Sequence, residues 1–319
     1  MRVLYFTPGH APELADAEHD AVAGGFYWLD VERSEENWHD QAERWLGVRL
    51  HDRHIQDTLN ETHPPYFDST DDYDLLIVRT MDPDSPPDYP TTSPISFIVS
   101  GNAVVSVRAQ NDPVFVKLHQ RFLGSPRHVP VSTAMLLQQL LDQVTDMLLL
   151  RRDTTSELLT GWQEHLLDRQ LPFDDWRALL RLHGQLRRLA VATESQLDVI
   201  YAWREQTALA IDGSLAVRFN DLQEHLRRVY DHAIDVQKDI DALVQIYFSI
   251  NSRRTNEILR ILTIVSVLFL PLNLLAGVFG MNFVHLPLLR SEWGPWAVTG
   301  MMMVTVGGLL TWFRHRRWI

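Results

Sequence analysis

Two apolar runs near the end of the chain, separated by a short polar turn, constrain this sequence more than any other feature. The first runs from Ile258 to Phe279 and the second from Trp296 to Phe313, with Gly280-Met281-Asn282 after the first. Each is long enough to cross the ~30 Å hydrocarbon layer of a bilayer as a helix. In hydrocarbon every backbone N–H and C=O must be paired within the segment, so a helical hairpin is expected. Arg253, Arg254 and Arg260 flank the start of the first run, and Arg314, Arg316 and Arg317 follow the second. The loop between them holds one Arg and one Glu, Arg290 and Glu292. The positive-inside rule then puts both termini in the cytoplasm and the loop outside. Trp293, Trp296, Trp312 and Trp318 suit the two interfaces.

The rest of the 319-residue chain reads as water-soluble. Its N-terminus lacks a basic segment followed by a long apolar one, so no signal peptide is expected and the N-terminal bulk should stay in the cytoplasm. The absence of cysteine excludes disulfides, thiolate metal sites and cysteine nucleophiles. Residues 1–90 hold 20 Asp/Glu and 6 Lys/Arg, a net of −14 out of −12 for the whole chain. That balance argues against nucleic acid as a partner and suits a surface that concentrates cations, or one that is simply well solvated. No P-loop, dinucleotide fingerprint, zinc-protease helix or nucleophile elbow appears, so an enzyme is not expected.

Residues 1 to about 125 read as mixed α and β. Strands are predicted at Phe26–Val31, Leu75–Val78, Ile95–Val99 and Val104–Val107, with a turn at Gly101-Asn102 and a loop from Pro83 to Pro94. Helices are predicted at Thr133–Arg151 and at Asp174–Gln206, with Asp174 as N-cap, and Gly213 marks a break before a third. In that third helix Leu222, Leu226, Val229, Ala233, Val236, Ile240, Leu243, Tyr247 and Ile250 alternate spacings of four and three, a heptad seam. No Pro or Gly interrupts from Ser214 to Leu270, so one helix is expected to run on into the first apolar span. At 1.5 Å per residue, ~65 residues would reach about 95 Å.

The polar members of that span are not scattered. Asn256, Leu259, Leu262 or Thr263, Ser266, Leu270 and Asn273 fall three or four residues apart on one stripe, away from the seam. A polar stripe in lipid costs free energy unless it meets protein or water. Several copies around an axis, with the stripe lining a pore, would satisfy it; so would two helices hydrogen-bonded through Asn273 and Ser266.

The stretch Thr255-Asn256-Glu257, Ile261-Leu262-Thr263-Ile264, Phe269-Leu270-Pro271-Leu272 and Ala276 to Phe283 closely resembles the pore helix of the CorA family of divalent-cation transporters. Val229-Tyr230-Asp231-His232 is similar to that family's stalk motif, and His63-Pro64-Pro65 with Asp71 to Arg79 to its N-terminal strand region. The resemblance implies an α+β cytoplasmic domain, a very long stalk and pore helix and a second transmembrane helix, assembled as a homopentameric funnel. It implies a pore mouth at Gly280, Met281 and Asn282, further polar rings at Asn256 and Asn273, and a hydrophobic constriction at Leu259 and Leu262. Neutral oxygen rings suit Mg²⁺, which dehydrates reluctantly. Two departures bear on selectivity and gating. Leu288 stands where the family's loop carries Glu, and Arg228 where it carries a magnesium-sensing Asp. The distance from Tyr230 to Asn256 is also about one heptad shorter than in magnesium-gated members, a change that keeps a seam in register.

The expected layout is a cytoplasmic α/β domain at 1–130, a helical region and stalk at 131–255, and a membrane hairpin at 256–319. Its spans lie at about 258–279 and 296–313, joined by a periplasmic loop at 280–295. The expected function is movement of divalent cations across the inner membrane, Mg²⁺ ahead of Zn²⁺, with Co²⁺ and Ni²⁺ as side substrates. The metal is cargo, and no resident cofactor is expected. The competing reading is a membrane-anchored scaffold or sensor of the same fold without transport. His285 and Glu292 near the mouth, and Asp71 and Asp72 as a cation sensor, are weaker metal-binding candidates, for which solvated side chains are the plainer reading. His51 and His54, with His63 and nearby acids, have metal-site spacing; among 14 His, chance pairing is the plainer reading.

Overall fold

The computed structural model describes residues 1–7, 10–15, 24–82, 85–86, 89, 91–110, 112–124, 129–167, 176–281 and 292–318. It divides into two compact units, Met1–Leu243 and Val244–Ile319. One helix, α6, contributes to both.

The first unit is built on a seven-stranded mixed sheet. Its strands are β1 (Arg2–Phe6), β2 (Glu13–Leu14), β3 (Phe26–Glu32), β4 (Tyr66–Ser69), β5 (Asp74–Met81), β6 (Thr92–Val99) and β7 (Ala103–Arg108). Their order is β2-β1-β3-β7-β6-β5-β4. Among the described residues only the β3–β7 pair is parallel, in register Tyr27↔Ala103 through Glu32↔Arg108. The four strands predicted from the sequence are β3, β5, β6 and β7, each slightly longer than its apolar run. Side chains alternate between two cores, as the period of a strand requires. Leu4, Phe6, Trp28, Leu76, Val78, Phe97, Val99 and Val104 bury one face against α3 (Pro113–Gly124), α4 (Thr133–Leu167), α5 (Trp176–Gln206) and the first turns of α6 (Gly213–Gly280). Val3, Tyr5, Leu29, Val31, Leu75, Ile77, Val105 and Val107 bury the other against Trp38, Ala42 and Leu46 of α1 (Trp38–Leu46) and Ile55 of α2 (Asp52–Leu59). The result is a sheet covered by helices on both faces.

Three boundaries differ from the sequence reading. The loop expected to reach Pro94 ends at Thr92, where β6 begins. β7 pairs only Ser96 to Val99 of β6, so Pro94 lies where one side of the strand has no neighbour and its missing N–H is tolerated. α4 passes Arg151 and ends at Leu167, because no Pro interrupts it and Gly161 is accommodated within the helix. Gly213 opens α6 rather than separating it from α5, and the Asp212 carboxylate caps it by accepting the Leu215 N–H at 2.6 Å. Asp174 lies outside the described residues.

The heptad seam is buried from Leu222 to Leu243. Tyr247 is half-buried and Ile250 exposed, both in the second unit. That unit contains the rest of α6 and α7 (Gly294–His315), each long and apolar enough to span a membrane.

Candidate functional site

All six residues of the predicted stripe lie on α6, and all six are exposed in the protomer: Asn256, Leu259, Leu262, Ser266, Leu270 and Asn273. At 3.6 residues per turn they fit within an arc of about 120°. Of its three leucines, Leu270 is the barest at 71% exposure. The half-covered residues of the same span are Ile264, Leu268, Pro271, Leu272, Leu275 and Phe279, and their mean direction is roughly opposite. α7 carries a matching covered stripe at Val298, Met302, Thr305, Val306, Leu309 and Phe313. The two helices thus shield one another along apolar faces. The polar stripe is on the side of α6 that α7 leaves bare.

Hydrogen bonding separates the polar residues of the span into two kinds. The Thr263 hydroxyl donates to its own helix at Leu259 O, 2.8 Å. Such back-bonding hides the hydroxyl from lipid at little cost. Among the described residues, the side chains of Asn256, Ser266 and Asn273 have no hydrogen-bond partner in the protomer. An amide left so in hydrocarbon is costly, which makes water or a second protein surface the expected complement.

Gly280 ends α6 and Met281 follows it, its N–H reaching Val278 O at 3.5 Å in a tightened last turn. A Cβ on Gly280 would meet nothing within 4 Å, so packing inside the protomer does not require glycine there. Asn282, His285 and Leu288 lie outside the described residues. Glu292 is exposed just before α7. Trp296 and Trp312 stand 16 residues apart on α7, about 24 Å along the axis, a spacing that suits two interfacial anchors. Beyond α7, Trp318 stacks on Phe313 at 5.8 Å and the Arg316 guanidinium sits 5.9 Å from the Trp312 ring centroid.

The metal-binding candidates in the first unit are placed as follows. Asp71 and Asp72 are exposed in the β4–β5 turn. Their neighbour Asp74 is buried, accepting from Ser69 Oγ (2.6 Å), Trp203 Nε1 (2.9 Å) and Thr207 Oγ1 (2.7 Å), and so ties the turn to α5. His54 is not available to a metal. Its Nδ1 accepts from the Tyr73 hydroxyl at 2.8 Å and its Nε2–H donates to Asp68 at 3.0 Å, while the His51 backbone N–H donates to the Tyr73 oxygen. These roles follow from the network. Burial raises the Tyr73 pKa, outweighing the His51 hydrogen bond, which favours the protonated phenol the network needs. His63 is likewise engaged, through Pro64 O at 2.7 Å and Asp57 at 3.5 Å. Among the described residues no group of three or more His, Asp or Glu could hold a metal ion.

Sequence reasoning missed the buried charge cluster of the sheet. Asp30 on β3 receives Arg108 Nε and Nη2, both at 2.8 Å, His119 Nε2 at 2.9 Å and Ser106 Oγ at 3.1 Å. Trp28 stacks on His119 at 4.4 Å. Burial pushes the Asp30 carboxyl up, but the donors from His119 and Arg108 outweigh it and hold the pKa below the ordinary value. The alternation in Trp28-Leu29-Asp30-Val31 was the available signal, since Asp30 falls on the inward register of Trp28. Arg228, at the position of the expected sensing Asp, is exposed and pairs with Glu224 at 2.5 Å one turn back.

Comparison with known proteins agrees with this architecture. Residues 23–316 match the family described as CorA-like Mg2+ transporter protein. The cobalt/magnesium transport protein CorA of Thermotoga maritima is 23% identical over 275 residues, covering 85% of this chain and 77% of that protein. The cobalt/magnesium transport protein CorA of Methanocaldococcus jannaschii is 23% identical over 300 residues, covering 92% and 91%. The complete structure of the CorA magnesium transporter from Methanocaldococcus jannaschii superimposes with a TM-score of 0.83 at 20% identity, covering 100% of this chain and 99% of that one. The cytoplasmic domain of ZntB from Vibrio parahaemolyticus shares the fold over 79% of this chain, with a TM-score of 0.63 at 15% identity. With a family match over nearly its whole length, and a soluble α/β body followed by a long helix and a second apolar helix, the chain belongs to the CorA-like Mg2+ transporter family.

Proposed function

We propose that this chain forms a homopentameric channel for divalent metal cations in the inner membrane, with the polar stripe of α6 lining the pore. The observation that carries this reading is the bare stripe of Asn256, Ser266 and Asn273 opposite the face shielded by α7. Five copies around an axis would give each unpaired amide and hydroxyl a watery lumen, with Leu259, Leu262 and Leu270 as apolar constrictions able to gate by dewetting. Residues 256–319 form the membrane hairpin, with both termini cytoplasmic. Residues 1–130 and 131–255 form the cytoplasmic α/β domain and the helical stalk. Gly280, Met281 and Asn282 make the outer mouth, where backbone and amide oxygens grip a hydrated cation.

Mg²⁺ is the leading cargo, since the Gly-Met-Asn turn is intact and the cobalt/magnesium transporters of Thermotoga maritima and Methanocaldococcus jannaschii are relatives over most of the chain. Zn²⁺, Co²⁺ and Ni²⁺ are secondary cargoes. His285 and Glu292 would act at the mouth by attracting cations rather than by holding one. Uptake of Mg²⁺ and Zn²⁺ in competition, by purified protein in liposomes, tests the reading. Mg²⁺ uptake that collapses in Asn282→Ala is expected. No flux of any divalent cation would leave a scaffold or sensor as the better account.

A further inference from the structure

In the strongly acidic N-terminal segment, two of the six arginines, Arg33 and Arg79, are half-buried and, among the described residues, form no ion pair. Arg79 Nε donates to Thr92 Oγ1 (2.7 Å), Nη1 to His63 O (2.8 Å) and Nη2 to Thr92 O. Arg33 Nε donates to Thr58 O (3.1 Å) and Nη2 to Pro94 O (2.6 Å). Carbonyls and a hydroxyl satisfy the donors; Glu61 partly compensates the Arg33 charge, whereas Arg79 has no anion beside it among the described residues. Burial, and then the neighbouring Arg33, lowers the Arg79 pKa, so its positive charge is held against a cost.

Beside Arg79 a cavity of about 270 Å³ opens between the β5–β6 end of the sheet and α5. It is lined by Arg79, Thr91, Thr92, Gln185, Arg188 and Tyr89 among others. Arg188 uses Nε on Gln185 Oε1 at 2.9 Å, and among the described residues its two terminal nitrogens have no partner. The Thr92 hydroxyl accepts from Arg79, so its own hydrogen can serve another acceptor. The acid nearest in sequence, Asp82, takes the Thr91 hydroxyl at 3.2 Å and does not line the cavity.

We propose that this cavity binds a small phosphate-bearing anion, with Arg79 as the inner cationic arm and Arg188 as the outer one. Two guanidinium groups from different elements match a dianion with three acceptor oxygens better than a single carboxylate, and the planar fork suits phosphate geometry. The volume lies at the lower edge of small-molecule sites, which fits a phosphate with little attached to it. The inference is independent of the transport reading, since all its residues lie in the first unit.

Calorimetric titration of the full-length protein in detergent, free of divalent cations, with inorganic phosphate and with acetate, tests this. Phosphate is expected to bind saturably and acetate not at all. Arg188→Gln, at an exposed position that the fold does not need, should weaken phosphate roughly tenfold or more, and Arg188→Lys should fall between. No saturable phosphate binding, equal binding by Arg188→Gln, or acetate binding as tightly as phosphate would each overturn the proposal.

Discussion

Asn273 and Leu275, two residues apart on α6, point about 200° apart around the helix: Leu275 lies on the half-covered face, and Asn273 is bare. This pair summarises how one helix serves a lipid-facing hairpin and a polar surface together. Their substitutions should separate accordingly. Asn273→Leu is expected to leave folding and assembly intact and to reduce cation flux roughly tenfold or more, by removing a polar ring. Leu275→Asn should instead lower the yield of folded protein by placing an unpaired amide against α7. Liposome flux together with native mass of the assembly reads both; unchanged flux in Asn273→Leu would remove the stripe from the pore.

Gly280→Ala should fold as well as the parent chain, because the added methyl meets nothing within 4 Å in the protomer. If copies of Gly280 ring a pore mouth, the same methyl should narrow it and cut flux. Flux at the parent rate would show that the mouth lies elsewhere.

Asp30 ties stability to acid pH. Its folded pKa is lowered, so its contribution is present above its ordinary value near pH 4 and is lost as pH falls through the folded value. Asp30→Asn leaves Arg108 and His119 buried without their anion and should cost about 3–5 kcal/mol at neutral pH. Denaturant unfolding followed by the fluorescence of Trp28, which stacks on His119, should show the loss and a flatter acid limb.

Asp142 on α4 has the opposite sign. Burial, and then Asp146, raises its pKa above the ordinary value. Its contribution is therefore present below about pH 4 and is lost as pH rises through the folded value. At neutral pH the charged form costs stability, reduced by solvent screening at this half-buried position. Asp142→Asn should stabilise by a few tenths of a kcal/mol. A thermal scan at pH 7 that shows a lower midpoint would refute this.

Tyr73→Phe removes the donor to His54 Nδ1 and the acceptor for the His51 N–H, and should cost about 1–3 kcal/mol. The raised Tyr73 pKa means that its contribution holds below about pH 10 and fades as pH rises through the folded value. A parent chain that loses stability above pH 10 more steeply than the Phe variant is the expected pattern in pH-dependent melting.

Much of this architecture was legible because its signals are periodic. β3, β5, β6 and β7 are nearly continuous apolar runs, as strands covered on both faces must be. The seam from Leu222 to Leu243 shows its spacing without a break. What was not legible lacks such periods. β1 is a five-residue strand at the start of the chain, and β4 is four half-buried residues of mixed type. α1 buries just Trp38, Ala42 and Leu46, with Trp45 packed beside them. The stripe on α6 was visible as spacing, but its relation to α7 was not, because the direction in which two helices cover one another is set by tertiary packing. The cavity at Arg79 joins residues over 100 positions apart, and no local pattern announces that.

Because α6 carries both its half-covered face and the bare stripe within the second unit, with no Pro or Gly from Val244 to Leu270, the angular phase between them is fixed by residue count. One residue inserted between Leu262 and Ser266 would turn every later side chain by about 100° about the helix axis relative to those before it, whereas seven would return it to within about 20°. Length variation in this segment is therefore tolerable only in whole heptads. A chain engineered with one extra alanine there should fold both of its ends correctly and still present the wrong face.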